Sequence, residues 1–261
     1  MTDPSLSVGA VRGDAAWTAV AFDGREFDHA AVFPEIGDLW LRYEEAERIL
    51  IDVPIGLVDE GEPDRECDVL ARRVAVRDGD ATDGDAAGRT RERTRHLPPP
   101  VREATRKRRY STAAKVHERK TGERLPEESF ERSPAIAAVD ELVSEIPEAR
   151  ERIHEAHPAV CFRAIGDEPL QYDRRTAGGY AERMRRLAAF DREGAPTVQH
   201  AAEATAGHDV RVEAVVDAVV LAYAARPSRL PLRSLPPDPP TDARGLPMRI
   251  VYRSETPLID G

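Results

Sequence analysis

Ile49-Leu50-Ile51-Asp52-Val53-Pro54-Ile55-Gly56-Leu57 sets one carboxylate inside an apolar, β-branched run. Such a run reads as a buried strand of a parallel or mixed sheet. Pro54 and Gly56 stop the strand within a few residues of the acid. An ionised carboxylate there suffers a heavy desolvation penalty unless a cation, a donor or water reaches it. Strand ends are where α/β sheets open their sites, so a metal ion or polar ligand at the sheet rim is the functional expectation. The bland alternative is an aspartate that only caps the following turn.

The elements around this strand follow from turn signals and periodicity. Val8 to Phe22 reads as two strands joined by a tight turn, and Asp23-Gly24 leads into a third strand over Phe27–Val32. Pro34 opens a helix through Leu39, Trp40, Leu41 and Tyr43. Helices are expected over Cys67–Val76, Val101–Lys120, Ser133–Val143, Pro147–Glu155, Thr176–Phe190 and Val210–Ala225. A strand is expected over Ala159–Ile165, and another over Met248–Tyr252 after a Pro-rich, extended tail of about 226–247. Asp78–Asp85 is acidic and rich in turn residues, but lacks the closing Glu of a calcium loop and reads as solvated. The order of three strands, helix, strand, helical insertion, strand and late helix is that of a ribonuclease H-like α/β fold: a mixed sheet flanked by helices. The expectation is one domain over 1–261, with a helical, basic insertion at about 64–150.

Composition narrows the class. No run of 18 apolar residues occurs among the 261, and Met1–Ala10 carries no signal-peptide pattern, so a soluble, cytoplasmic protein is expected. Cys67 and Cys161 cannot build a disulfide framework and lie in no metal-ligand spacing. The net charge of −10 is unevenly spread: Arg89–Arg124 holds 13 Lys+Arg against 4 Glu. Within that window Arg102, Arg106 and Arg109 fall on one face of the expected helix, an array suited to a nucleic-acid backbone. The competing reading is a solubilising helix whose arginines pair with the acidic remainder of the chain.

Several short pieces, taken together, resemble the domain-of-unknown-function 429 family, predicted nucleases of ribonuclease H-like fold. They are Val8-Gly9 through Trp17, the Ile51–Leu57 core, Cys67-Asp68 with Ala71-Arg72, Pro98–Arg102, Val139-Asp140, Glu155-Ala156-His157-Pro158 with Phe162, Arg183 with Leu187, Asp217-Ala218 and Met248–Tyr252. The resemblance implies an acidic cluster binding Mg²⁺ or Mn²⁺ for phosphodiester cleavage, where two ions about 3.5–4 Å apart activate water and stabilise the leaving oxygen. Asp52, Asp217 and Glu155 are the implied catalytic residues, with Asp52, Asp217 and Glu213 as metal ligands. Glu213 and Asp217, four apart, share a helix face. Three polar positions of the family pattern are apolar in this chain: the first-strand acid is Val11, the residue after His157-Pro158 is Ala159, and Ala135 follows Pro134. Asp14 lies three residues from Val11, an offset that places it badly as a substitute. These departures imply a catalytically degenerate nuclease relative; the alternative is a non-catalytic nucleic-acid-binding or scaffold protein.

Overall fold

The computed structural model describes residues 6–75 and 98–259. The acidic run Asp78–Asp85 and the first residues of the basic window, Arg89 to Arg95, lie outside the described residues. Three antiparallel strands come first: β1 (Leu6–Arg12), β2 (Trp17–Asp23) and β3 (Glu26–Phe33). Helix α1 (Ile36–Tyr43) then crosses back, so that β4 (Arg48–Ile51) runs parallel to β1. After the insertion, β5 (Ile153–Glu155) adds parallel to β4, giving the order β3-β2-β1-β4-β5. This five-stranded mixed sheet flanked by helices is the ribonuclease H-like arrangement expected from the order of elements.

The insertion contributes α2 (Glu66–Ala75), α3 (Arg102–Thr105), α4 (Tyr110–Thr121), α5 (Glu127–Glu131), α6 (Ser133–Glu145) and α7 (Pro147–Arg152). Beyond β5 come α8 (Pro158–Ala164), α9 (Ala177–Phe190), α10 (Gly194–Ala204) and α11 (Val212–Ala225), then a small antiparallel pair, β6 (Leu232–Leu235) and β7 (Ile250–Arg253). No helix among the described residues is long and apolar enough to cross a membrane.

The sheet is buried on both faces, which is why its central strands are almost continuously apolar. Val8, Ala10, Ala19, Ala21, Ile49, Ile51 and Ile153 pack with α1 and α6. Val11, Val20, Phe22 and Leu50 face the other way, toward α8 and α11. Helix α11 is buried from Val215 to Ala225 and, Asp217 apart, that span is almost entirely apolar, as suits a central helix. It approaches β1 so closely that a Cβ on Gly9 would lie 2.1 Å from the Ala222 nitrogen and 2.4 Å from the Ala218 oxygen.

Three expectations need correction. The apolar run Ala159–Ile165 is helix α8 and not a strand, with Pro158 at its first turn, where a missing N–H costs nothing. His157 is extended, as a residue before proline should be, but it leads into that helix. The fifth strand is the three residues Ile153–Glu155, which the sequence had assigned to the end of the helix starting at Pro147. Finally, the expected helix over Val101–Lys120 is broken between α3 and α4, because Arg106 leaves helical geometry and Arg109 is extended. The tail also holds β6, and α10 lies where no helix was expected.

Candidate functional site

Asp52 stands one residue past β4, at the end of the sheet where β1 and β4 run side by side. The Arg12 main-chain N–H donates to its Oδ1 at 3.0 Å, and Arg132 Nη2 donates to its main-chain oxygen at 2.7 Å. Burial raises the Asp52 pKa; Arg132, the Arg12 N–H and Arg174 act against that rise. Asp217 reaches the same neighbourhood from the second turn of α11 and is 1% exposed. Arg174 Nη1 donates to its Oδ2 at 2.9 Å. Its Oδ1 has no hydrogen-bond partner; Arg183 Nε lies 3.8 Å away, too far for one. Burial pushes the Asp217 pKa up to about 6, Arg174 and Arg183 hold it down, and the charge of Asp52 adds to the rise. The structure thus brings Asp52 and Asp217 within electrostatic reach of each other.

Glu155 does not join them. It pairs in register with Ile51, and residues paired across parallel strands share a face of the sheet. Ile51 faces α1 and α6, so Glu155 points away from α11. There it accepts from Arg65 Nη1 and Nη2 at 2.8 and 2.7 Å and from the Ile55 N–H at 2.8 Å. Arg65 also forks onto Asp68 at 2.8 and 2.7 Å and donates to the Ile55 oxygen at 3.0 Å. Every donor of this fully buried guanidinium is occupied. Burial raises the Glu155 pKa, with Arg65 opposing it.

Glu213 lies one turn before Asp217, half-buried at the rim, with Arg211 3.8 Å away. Val11 is 3% exposed and packs in the α11-side cluster, on the same side of the sheet as Leu50; Ala159 is buried in that cluster too. Asp14 is exposed and bonded to Arg211 at 2.7 Å, so it does not replace the missing acid. Among the described residues no group of three His, Cys, Asp or Glu is placed to hold a metal ion. Hard cations bridged in pairs need several converging carboxylates. Two acids, one of them already bonded to an arginine, do not fit a two-ion centre.

The basic residues divide. Arg102 is buried and donates to Asp59 at 2.7 Å, to both Asp140 oxygens at 3.2 Å, and to Asp242. Burial works against its charge, but Asp140 and Asp242 outweigh that and raise its pKa. Arg106 bonds Asp140 at 2.7 Å with 40% of its side chain exposed. Arg109 is exposed at the start of α4, alongside exposed Arg108, Lys115 and Arg119. Arg102 is therefore tied to carboxylates from three separate parts of the chain, while Arg106 and Arg109 remain on the surface. Sequence reasoning gave no site role to the groups that surround the acid pair: Arg132, Arg174 and Arg183, the last quoted only as a piece of the family resemblance. The signal for Arg174 was Arg174-Arg175 placed just before Thr176, whose hydroxyl accepts from the Gly179 N–H at 3.0 Å and caps α9.

A small pocket on the far side of β5 is lined by His154, Arg150, Arg249, Ile55 and Leu246. Burial and the charges of Arg249 and Arg48 push the His154 pKa down to about 4. The unfolded chain binds this proton below its usual value of 6.5, the folded chain only below about 4. Stability attributable to His154 is therefore full above that range and is lost as pH falls through it, by up to about 3 kcal/mol. His154→Gln should remove this part of the acid sensitivity, read as urea midpoints at neutral pH and near pH 4. An identical acid loss in both proteins would refute the assignment.

Comparison with known sequences bears on the same region. Neither the curated proteins nor the solved structures contain a significant match to the chain. The sequence profile of a family described as Protein of unknown function (DUF429) matches residues 12–241, spanning Asp52, the insertion and Asp217. On that match over most of its length, the chain belongs to the DUF429 family.

Proposed function

We propose that this protein is a catalytically reduced relative of ribonuclease H-like nucleases, which engages nucleic acid through phosphate contacts without cleaving it by a two-ion mechanism. The observation that carries the reading is Val11. It is buried on the α11-facing side of β1, beside the acid pair, where the resemblance calls for a carboxylate. Aliphatic carbons offer no ligand to a cation that Asp52 and Asp217 alone cannot share in pairs.

The binding half of the proposal rests on the surface charge. Arg106, Arg108, Arg109, Lys115 and Arg119 are exposed on one stretch of the insertion, and Arg132, also exposed, reaches the Asp52 carbonyl from its far end. Such an array binds phosphates by releasing counterions, sequence-independently and with affinity that falls steeply with salt. The second reading, an Mg²⁺- or Mn²⁺-dependent nuclease using Asp52 and Asp217 with Glu213 at the rim, draws support from the orphaned Oδ1 of Asp217.

The experiment is fluorescence anisotropy on labelled single strands and duplexes of DNA and RNA in EDTA, over a salt series, followed by incubation with Mg²⁺ or Mn²⁺. Salt-dependent binding with intact oligonucleotides is expected, and Arg108→Ala combined with Arg109→Ala should flatten the salt slope by about two. Metal-dependent cleavage that disappears in Asp52→Ala would establish the second reading instead. Absence of any binding would leave a scaffold role.

A further inference from the structure

The acid pair is not simply short of ligands; a cation of the chain's own is held against it. Arg174 donates to Asp217 Oδ2 at 2.9 Å, and its charge acts on both Asp217 and Asp52. The turn that carries it is fixed on several sides. The Thr176 N–H and hydroxyl both donate to the Asp173 carbonyl, at 3.0 and 2.7 Å. The Asp173 carboxylate is held by the Arg175 N–H at 2.8 Å and by the Arg175 guanidinium at 3.1 Å. Gly179 closes against the same carbonyl: a Cβ there would lie 2.0 Å from the Asp173 oxygen, so only glycine lets the turn sit down on α9. A side chain delivered from so constrained a turn is positioned rather than incidental.

We infer that Arg174 is the resident cation of the Asp52–Asp217 pair and excludes divalent metal from it. The inference rests on the acid pair of the proposed function, and it adds what keeps that pair metal-free. A guanidinium and a divalent ion cannot both take Asp217 Oδ2, and the positive charge repels an ion approaching from solvent. Removing the Arg174 guanidinium frees Asp217 Oδ2 beside an Oδ1 that has no hydrogen-bond partner, with buried Arg183 Nε still 3.8 Å from Oδ1. Arg174 is itself half exposed, at 49%, so removing it leaves no large hole in the core.

The test is Mn²⁺ binding to the full chain, by titration calorimetry and by thermal shift at constant ionic strength. The proteins compared are wild type, Arg174→Met, Arg174→Gln, a control at exposed Arg185 on α9, Arg185→Met, and Arg174→Met combined with Asp217→Asn. Wild type and Arg185→Met should show no saturable binding at millimolar Mn²⁺. Arg174→Met and Arg174→Gln should each gain a site at least about tenfold tighter, a difference of about 1.4 kcal/mol or more. The added Asp217→Asn should abolish it. Equal binding by wild type and the Arg174 variants, absence of binding in both Arg174 variants, an equal gain in Arg185→Met, or survival of the site in the double variant would each overturn the inference. Nucleic-acid binding in EDTA is independent of these outcomes, so failure here is distinguishable from failure of the proposed function.

Discussion

Gly9→Ala should destabilise the protein by about 3 kcal/mol or more, toward the upper end for an added methyl group. The new carbon would lie 2.1, 2.4 and 2.6 Å from Ala222 N, Ala218 O and Leu221 C, all main-chain atoms of α11. No rotamer change relieves a clash with backbone, so the helix has to move off the sheet. Asp217 rides on that helix, and Asp52 follows the strand next to Gly9's own. The substitution should therefore loosen the acid pair as well as the core. Urea midpoints with an unchanged m value would measure the first effect. A midpoint within about 0.5 kcal/mol of wild type would mean that the sheet and α11 are less closely packed than described.

Arg65→Met should be comparably damaging, at about 3–5 kcal/mol, since it strands two buried carboxylates, Asp68 and Glu155, with no cation. Glu155→Gln is the informative partner. It leaves the Arg65–Asp68 pair intact and a neutral amide that still accepts the Ile55 N–H, so its cost should be about 1 kcal/mol. A structural role predicts this asymmetry in thermal or urea unfolding. If instead Glu155→Gln removed a metal-dependent activity while leaving stability untouched, Glu155 would act in catalysis through a rearrangement of β5.

The parts of the fold legible in the sequence were those where one physical signal dominated. The Asp52 strand announced itself by a β-branched run cut short by Pro54 and Gly56, and the β1–β3 meander by Asp23-Gly24, where Gly24 takes a φ of 58°. Helix α11 showed an aspartate amid Val and Ala, which led to Asp217. Ala159–Ile165 misled because a short apolar run looks the same in a buried helix as in a strand. Three residues of β5 are too few for any period to emerge. Arg102 was illegible for another reason: a basic face has the same spacing whether it meets solvent or buried carboxylates. Its partners Asp59, Asp140 and Asp242 are scattered along the chain, and only the fold collects them. Arg174 was hidden in the same way, since nothing in its own neighbourhood points to Asp217.

Asp242 accepts from the N–H of Leu57 at 3.0 Å and from Arg102, while Val251 bridges to Ala156 beside β5 and its neighbours Ile250 and Tyr252 fill the α11-side core. The loop that follows Asp52 is thus fastened by residues nearly two hundred positions downstream. During synthesis Asp52 can meet Arg12 and Arg132 well before the downstream residues that fasten its loop and β5 have been made. Long-range closure of this kind slows folding and leaves a half-made sheet exposed in the meantime. A nascent chain that has reached Asp52 must therefore grow by about two hundred further residues before Asp217, Asp242 and Val251 can all close around it.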